Sequence, residues 1–244
     1  MLGFDEPIRA LIIGASGSVG NAFVEAIGSD PDNTVWATSR NPDGLPAGCT
    51  FSSRVDITDE VSIEALADEL NRSEYSPNVV LNCTGILHTE GWGPERSWRH
   101  FNIDTMRQVF DINTFGVALL AKHLIPLLPR RTRSVFASFS ARVGSISDNR
   151  LGGWYSYRAS KAAQNMVIKG LSIEAKMRWP ELICVALHPG TVRSNLSAPF
   201  TARVPEEKLF SPTQSCSHLQ AVITDLTPTD SGNFYAWDGS PIPY

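Results

Sequence analysis

A tyrosine and a lysine four residues apart, Tyr157 and Lys161, are the first residues whose types and spacing indicate chemistry. In a helix, side chains at this spacing lie on the same face, one turn apart. A phenol has a pKa near ~10 and is a poor general acid or base at neutral pH unless a cation lies beside it. Lys161 would supply that cation. The pair therefore predicts proton transfer, although the same spacing also occurs by chance in long helices.

A second chemical feature is the glycine-rich segment at residues 14–20, which reads Gly-Ala-Ser-Gly-Ser-Val-Gly. It lies between an apolar strand-like run and a helix-like run. Glycines there let the backbone approach a pyrophosphate, and the following helix offers N–H groups and the positive end of its dipole. Three glycines after a strand also make an ordinary tight turn. Their position at the first strand-to-helix junction favours dinucleotide binding, and Lys161 would then also hold the nicotinamide ribose.

The end of the next strand-like run distinguishes the two common dinucleotides. An acidic residue about 20 positions after the glycines binds the adenosine ribose and is typical of NAD. This chain has Ser39 and Arg40 there instead. A guanidinium pairs with phosphate oxygens through two hydrogen bonds, so we predict NADP(H) over NAD(H). Asp43 is the one neighbour that argues for NAD, and a solvated surface side chain is the alternative interpretation of Arg40.

Strand-like and helix-like segments alternate along the chain and must position these residues. Short apolar runs typical of buried strands alternate with runs whose apolar residues recur at helical spacing. This predicts one doubly wound α/β domain over residues 1–244, a Rossmann-type parallel sheet of about seven strands with helices on both faces. The predicted strands are 9–13, 34–38, 50–55, 78–83, 133–140, 182–187 and 233–237. The predicted helices are 18–27, one capped by Thr58, 102–128, 155–179 and 213–226.

The composition argues against several other classes of protein. The chain has 244 residues, is 42% hydrophobic and carries a net charge of −4, so it lacks the basic excess of a nucleic-acid binder. Its longest apolar run, 182–187, is far short of the ~20 residues that cross a membrane. The start resembles no secretion signal, and the four cysteines lack zinc-site spacing. We expect a cytoplasmic protein that binds small molecules, without a metal and without nucleic-acid or membrane partners.

Taken together, the motifs resemble the short-chain dehydrogenase/reductase family, and the match covers nearly the whole chain in order. Besides residues 14–20, the matching residues are Asp56, which would contact adenine, Asn82-Cys83-Thr84-Gly85, Asn113, Tyr157 with Lys161, and Pro189-Gly190. The segments around Tyr157 and Pro189, with residues 236–244, resemble the branch that contains C-factor-like proteins and sniffer-like carbonyl reductases.

The resemblance implies NADP(H)-dependent hydride transfer between the nicotinamide C4 and a carbonyl or alcohol. It implies that Tyr157 is the general acid and base, that Lys161 lowers its pKa, and that Asn113 holds a proton-relay water through its backbone. It also implies a dimer or tetramer, since family members often pair through the helices at 102–128 and 155–179. The cofactor-binding residues it implies are Gly14, Ser16, Gly17, Ser18, Val19, Gly20, Ser39, Arg40, Asp56, Ile57, Asn82, Cys83, Thr84, Gly85, Tyr157, Lys161, Pro189, Gly190, Val192 and Ser194.

Two residues depart from the family pattern. Ser18 occupies the place of the middle glycine, with an extra glycine at Gly17, and Ala141 occupies the place of the usual catalytic serine. We predict that Ser140 supplies the missing hydroxyl to the substrate oxygen. Adjacent strand residues face opposite ways, so this requires a kink or a register shift at the strand end. Ser145 on the following loop is the second candidate, and the alternative for Ser140 is a hydroxyl that satisfies neighbouring backbone groups.

We expect the substrate pocket over the carboxyl ends of the strands. Its predicted walls are residues 85–98, 152–155 and 195–204, where large aromatic residues favour an apolar or aromatic substrate or else simply pack. The main alternative function is a dinucleotide-binding regulatory or signalling protein with little or no turnover. Ala141 and Ser18 favour it, whereas an intact Tyr157 and Lys161 oppose it. A dehydrating or isomerising family member is a further alternative.

Overall fold

A seven-stranded parallel sheet forms the centre of the molecule. The computed structural model describes residues 2–244. The sheet order is β3-β2-β1-β4-β5-β6-β9, every pairing in it is parallel, and the two short strands β7 and β8 pair with each other. The strands are β1 (Arg9–Ile13), β2 (Thr34–Ser39), β3 (Phe51–Arg54), β4 (Val79–Asn82), β5 (Ser134–Phe139), β6 (Leu182–His188), β7 (Thr191–Val192), β8 (Leu209–Phe210) and β9 (Phe234–Ala236).

Helices cover both faces of the sheet, and each face has its own apolar core. One core joins Phe23 of the first helix to Leu219 of the last, and the other contains Leu120 and Ile168 from the middle of the chain. This confirms the predicted doubly wound α/β fold. No helix within residues 2–244 is long and apolar enough to cross a membrane. The helices are α1 (Ser18–Gly28), α2 (Glu60–Arg72), α3 (Ile103–Phe110), α4 (Gly116–Leu124), α5 (Tyr155–Ala175) and α6 (Pro212–Asp225).

The helix predicted over 102–128 is interrupted. A π-helical turn, Asp111–Phe115, separates α3 from α4, and a 3-10 turn at Ile125–Leu127 follows α4. In the π turn the Gly116 N–H donates to the Asp111 carbonyl, five residues back. Such turns insert one extra residue and re-aim the side chains beside it, and they are frequent at functional sites. The extra residue falls in the turn that carries Asn113.

Two helix boundaries also differ from the predictions. Thr58 was predicted to cap α2, but Asp59 is the cap, because its carboxylate accepts from the Val61 N–H over 3.1 Å. Thr58 instead donates its hydroxyl to Asp56 Oδ1 over 2.7 Å. Helix α5 ends at Ala175, before Trp179, because the chain tightens into a turn ahead of Pro180.

The strand order reverses between β1 and β4. At such a switch point the connections leave toward opposite faces, and a crevice opens outside the carboxyl ends of the two strands. The glycine turn follows β1 at this edge, and residues 82–85 follow β4. The elements with the candidate residues therefore meet where open α/β sheets bind their ligands.

Candidate active site

The turn between β1 and α1 requires glycine at two positions. Gly14 has a φ of +80°, and a Cβ there would lie 2.8 Å from the Thr84 methyl carbon. A Cβ on Gly20 would lie 2.5 Å from the Gly14 carbonyl oxygen. Ser18 does not prevent the turn, because the Gly17 N–H still donates to the Gly14 oxygen over 3.0 Å. The compact glycine turn at residues 14–20 therefore forms despite the departure at Ser18, and the approach of a pyrophosphate to it stays a prediction.

No side chain caps the N-terminus of α1. The N-cap residue is Gly17, and the first turn holds no acidic residue. By contrast, α2, α3 and α6 are capped by the side chains of Asp59, Asn102 and Ser211. A helix start with unpaired N–H groups and no nearby carboxylate suits a phosphate. This end of α1 fits the pyrophosphate of a dinucleotide.

Arg40 lies exposed after β2 and makes no ion pair within residues 2–244. The Ser39 hydroxyl donates to the Asn41 carbonyl. Asp56 accepts from the Thr58 N–H over 3.0 Å and from its hydroxyl. These two hydrogen bonds, together with the charges of Arg40 and a second arginine, lower the pKa of Asp56. Arg40 is therefore a cation without a salt-bridge partner among residues 2–244, and its charge helps to lower the pKa of Asp56. Its guanidinium fits a phosphate on the adenosine ribose.

The side chain of Asn82 organises the loop after β4. Its Oδ1 accepts from the Thr84 N–H over 3.2 Å and from the Thr84 hydroxyl over 2.7 Å, while its Nδ2 donates to Ser138 Oγ over 2.9 Å. Cys83 follows half-buried, and burial raises the pKa of its thiol. Gly85 is exposed at the end of the loop. The loop thus presents backbone rather than large side chains to the crevice.

Three elements bring predicted catalytic residues together beside Gly85. A Cβ on Gly85 would lie 3.5 Å from Asn113 Oδ1 and 3.6 Å from Lys161 Nζ. The Asn113 amide is fixed, because its Oδ1 accepts from the Ile86 N–H and its Nδ2 donates to the Ile86 carbonyl, both over 2.9 Å. Its Nδ2 also donates to Ser160 Oγ on α5 over 3.1 Å. The loop after β4, the π turn and α5 are locked to one another at this point.

Tyr157 and Lys161 lie one turn apart on the buried face of α5, with exposed fractions of 8% and 2%. Burial raises the pKa of Tyr157 and lowers the pKa of Lys161 to about 7. Both shifts have the same cause, since removal from water disfavours the charged form of each group. The Lys161 ammonium donates to the Phe139 carbonyl over 2.8 Å. The implied lowering of the Tyr157 pKa by Lys161 is therefore not what this structure shows, because burial raises that pKa. Lys161 favours the phenolate only in its protonated form.

Gln164 is a polar contact of Lys161 that the sequence interpretation missed. Lys161 Nζ donates to Gln164 Oε1 over 2.8 Å. Gln164 Nε2 in turn donates to Ser138 Oγ over 2.9 Å, and the same oxygen accepts from Asn82. This series of hydrogen bonds fixes the Gln164 amide so that its oxygen faces the Lys161 ammonium. A polar residue three positions after Lys161, on the buried face of α5, is the sequence signal that would have identified it.

The hydrogen bond of the Ser140 hydroxyl directs it away from Tyr157. Its hydroxyl donates to Asn165 Oδ1 over 2.7 Å, and Asn165 is eight residues beyond Tyr157, about 12 Å along the helix axis. Ala141 follows in extended conformation. Ser145 is buried, and its Oγ accepts from the Asp148 N–H over 3.2 Å. The role of Ser140 stays a prediction, and its hydroxyl has a buried partner elsewhere.

The Pro189-Gly190 turn follows β6 at the same edge of the sheet. Gly190 has a φ of +79°, and a Cβ there would lie 2.6 Å from the Phe210 ring. The turn leads into β7, which contains Val192, and then to the half-buried Ser194. The tight contact with Phe210 explains the glycine and fixes the path of the backbone toward Val192 and Ser194.

A cavity of about 600 Å³ lies beside the start of α5, where Trp154 forms part of its lining. The Trp154 ring is 6.3 Å from the Tyr157 ring and 4.9 Å from the Phe200 ring, measured between centroids. His88 Nε2 lies 3.1 Å from the Asn195 carbonyl oxygen and so connects two of the walls. The lining comes from the three segments predicted as walls, with one residue beyond them: His88, Thr89, Glu90, Gly91, Trp92, Gly93, Pro94, Arg96, His100, Trp154, Pro199 and Phe200.

Comparison with known proteins gives one consistent family. Residues 9–204 match the sequence pattern of a family described as short chain dehydrogenase. A 1-hydroxy-2-glutathionyl-2-methyl-3-butene dehydrogenase from a Rhodococcus species is 30% identical over 231 residues, covering 94% of this chain and 96% of that protein. The C-signal protein of Myxococcus xanthus is 32% identical over 139 residues, covering 57% of this chain and 78% of that protein.

Solved structures agree with this assignment. An NADPH-bound carbonyl reductase from chicken fatty liver has a TM-score of 0.83 and 25% identity, covering 98% of this chain and 100% of that one. The carbonyl reductase Sniffer of D. melanogaster shares the fold, with a TM-score of 0.84, 22% identity and the same coverage. Family match, relatives and fold lead to one conclusion. The chain belongs to the short chain dehydrogenase family and is an NAD(P)-dependent dehydrogenase or reductase.

Proposed function

We propose that the protein transfers hydride reversibly between C4 of NADP(H) and the carbonyl carbon of a small molecule, with Tyr157 as general acid and base. The observation that carries the proposal is the meeting point beside Gly85. There Lys161 and Asn113 lie within 3.6 Å of one Cβ position, and Tyr157 is one turn away on the same buried helix face. When bound, NADPH supplies the hydride that no side chain can provide.

In the reductive direction, Tyr157 donates its phenolic proton to the carbonyl oxygen as the carbonyl carbon gains hydride, which completes the alcohol. Lys161 lies one turn along the helix, and its ammonium stabilises the phenolate that remains. Asn113 locks the loop after β4 to α5 through Ile86 and Ser160, and we assign the relay water to its backbone. Ser140 can donate to the substrate oxygen only after its hydroxyl leaves Asn165.

The cofactor we propose is NADP(H) rather than NAD(H). Three features support binding: the uncapped start of α1, the exposed Gly85 loop and the Pro189-Gly190 turn. Arg40 supports the phosphorylated form, because it follows β2 as a free cation and carries no ion pair within the described residues. The chicken carbonyl reductase, at 25% identity, binds NADPH.

The substrate we propose is an apolar or aromatic carbonyl compound. Three rings, Trp92, Trp154 and Phe200, line the cavity, and the Trp154 ring lies 6.3 Å from the Tyr157 ring between centroids. Aromatic walls bury a flat apolar group and exclude water from the reacting carbon. A volume of about 600 Å³ lies within the range of small-molecule sites.

The test compares wild type with Tyr157→Phe, using NADPH oxidation against a panel of aldehydes, ketones and quinones. Removal of the phenolic hydroxyl should lower kcat by about 10² to 10⁴-fold while the Kd for NADPH stays within about threefold. Unchanged turnover in the variant would exclude Tyr157 as the acid. Cofactor binding without turnover of any carbonyl by the wild type would overturn the reductase proposal.

That second outcome would favour a dinucleotide-binding regulatory or signalling protein. Two observations support this alternative. Ala141 replaces the usual serine, with Ser140 bonded to Asn165, and the relative from Myxococcus xanthus carries the name C-signal. The buried Tyr157 and Lys161 oppose it, because binding alone does not need them.

We also propose a homo-oligomer that pairs through α4 and α5. Exposed apolar side chains on these helices or directly before them include Phe115, Met166 and Ile173, at 54%, 71% and 66% exposure. Leu120 of α4 is fully buried in the core and is not part of this surface. Sedimentation at the mass of a compact monomer at micromolar concentration would exclude the oligomer.

A further inference from the structure

The backbone of Trp154 is in an unusual conformation immediately before the catalytic helix. Its φ is +51° and its ψ 40°, which makes it one of three non-glycine residues within 2–244 with a positive φ. A bulky residue in the left-handed region is strained and persists only when its surroundings hold it. The conformation directs the ring to the cavity, between Tyr157 and Phe200. The strained residue is therefore a wall of the proposed substrate site.

Glu95 holds this residue on both sides. Its carbonyl oxygen accepts from the Trp154 N–H over 2.6 Å. Its carboxylate accepts from the Ser156 N–H over 3.1 Å and from the Ser156 hydroxyl. One contact is at the amide of Trp154 itself and the other lies two residues later at Ser156, so one residue of the loop before α3 fixes the backbone on both sides of the Trp154 Cα.

The carboxylate of Glu95 is otherwise difficult to explain. It is 5% exposed and makes no ion pair within residues 2–244. A buried carboxylate without a cation is costly unless hydrogen bonds and a favourable field compensate. Both compensations come from the first turn of α5, where the Ser156 N–H and hydroxyl donate to the carboxylate at the positive end of the helix dipole. The usual place for such a group is the N-cap residue itself, but that position is taken by Trp154, whose indole cannot accept a hydrogen bond.

We propose that Glu95 is a positioning residue that holds Trp154 as a fixed wall, and that this wall makes the site select ring-bearing carbonyl compounds over short aliphatic ones. The proposal rests on the proposed reductase function. Glu95 acts through Trp154 and touches neither the reacting carbon nor its oxygen. Its loss should therefore change which substrate is preferred more than it changes the proton transfer by Tyr157.

The activity test is a double-mutant cycle read as a selectivity ratio. The variants are Trp154→Ala, Glu95→Ala and the pair, assayed with benzaldehyde and propanal under NADPH oxidation. Each single change should lower the ratio of kcat/KM for benzaldehyde over propanal by about tenfold. The double variant should lower it no further, because the two residues act as one unit. A ratio that stays at the wild-type value in Glu95→Ala, or falls additively in the pair, would overturn the proposal.

Two matched variants separate positioning from general damage to the fold. Glu95→Gln keeps one acceptor oxygen of the same shape, so its ratio should stay within about threefold of wild type. Glu174→Gln alters an exposed glutamate near the C-terminal end of α5 and should leave the ratio unchanged. If Glu95→Gln and Glu95→Ala lower the rates with both aldehydes equally, the residue is only structural.

A second measurement does not depend on turnover. The fluorescence of Trp154 is obtained as the difference between the protein and its Trp154→Phe variant, with acrylamide as quencher. The same difference in the Glu95→Ala background should show a larger quenching constant, because the released ring becomes more accessible. Unchanged quenching would overturn the proposal that Glu95 holds Trp154 in place, even if the protein reduces aldehydes. Increased quenching without turnover of any carbonyl in the panel of aldehydes, ketones and quinones supports the positioning of Trp154 by Glu95 and instead overturns the reductase proposal.

Discussion

Helices α1 and α5 both start at the functional edge of the sheet, but they start in opposite ways. The N-cap residue of α1 is Gly17, and this helix has no side-chain cap and no acidic residue in its first turn. The N-cap residue of α5 is Trp154, and the buried carboxylate of Glu95 accepts from the Ser156 N–H. The same positive helix end is thus open in one case and filled by the protein's own charge in the other.

The difference separates two uses of a helix start. An open end with unpaired N–H groups can bind an external anion, such as the phosphates of a dinucleotide. A filled end cannot, but its helix is held in place, and α5 is the helix that carries Tyr157 and Lys161. We infer that binding of the cofactor phosphates and proton transfer are assigned to different helices.

Gly17→Asp should fill the open end and abolish tight cofactor binding. Gly17 has φ −75° and ψ 153°, which an aspartate adopts readily. Two unit charges 4 Å apart repel by about 4 kcal/mol at an effective dielectric of 20, so we expect NADPH to bind about 100-fold more weakly or worse. The free energy of unfolding should change by only a few tenths of a kcal/mol, about the usual difference between these two residues at a cap. Fluorescence titration with NADPH and urea denaturation measure the two effects.

Gly17→Asn is the matched control, because it has nearly the same shape without the charge. It should weaken NADPH binding far less than the aspartate does. Equal losses in the two variants would show that steric crowding, including the 3.3 Å approach of a Cβ to the Gly14 oxygen, closes the site rather than charge.

Gln164→Leu should weaken proton transfer by Tyr157 on α5. It should not change the start of α1, where we propose that the cofactor phosphates bind. The change removes one acceptor of the Lys161 ammonium, so the pKa of Lys161 should fall below its present value of about 7. The protonated lysine that supports Tyr157 would then be lost at lower pH. We expect kcat/KM at pH 7 to fall about 10 to 30-fold and its basic limb to shift to lower pH, as measured by a pH profile of NADPH oxidation.

Gln164→Glu tests the same contact with the opposite sign. A carboxylate at this position should raise the pKa of Lys161 and shift the basic limb upward. If both variants shift the limb in the same direction, Gln164 does not act through Lys161.

Buried Lys161 should also make stability depend on pH. Its pKa in the folded protein, about 7, lies below the ordinary value of 10.5, so between these values the unfolded chain binds more protons than the folded one. Stability should therefore rise with pH through that window, by at most about 1.4 kcal/mol per pH unit, and the destabilising contribution is complete below pH 7. Lys161→Met should flatten this slope in urea denaturation at pH 6, 7, 8 and 9. An unchanged slope would show that another group causes it.

The two helix starts also differ in how far the sequence predicted them. The open end could be predicted, because the glycine turn and Gly17 are neighbours in sequence and the motif has one local geometry. The filled end could not, since Glu95 and Ser156 lie 61 residues apart and no periodicity links a loop carboxylate to a distant helix. The direction of the Ser140 hydroxyl and the π turn at Asn113 depend likewise on what packs against them.

Asp59→Ala is the prediction with the smallest effect and sets the baseline for both helix starts. Asp59 caps α2 through the Val61 N–H, on a helix that carries none of the predicted site residues. Loss of an ordinary cap should cost about 1 kcal/mol in the free energy of unfolding, measured by urea denaturation. Neither the NADPH affinity nor the benzaldehyde-to-propanal ratio should change, since this cap neither binds an anion nor positions a wall. A change in the NADPH affinity or in the ratio would show that the start of any helix affects the site through global stability. The inference that α1 and α5 have separate roles would then be rejected.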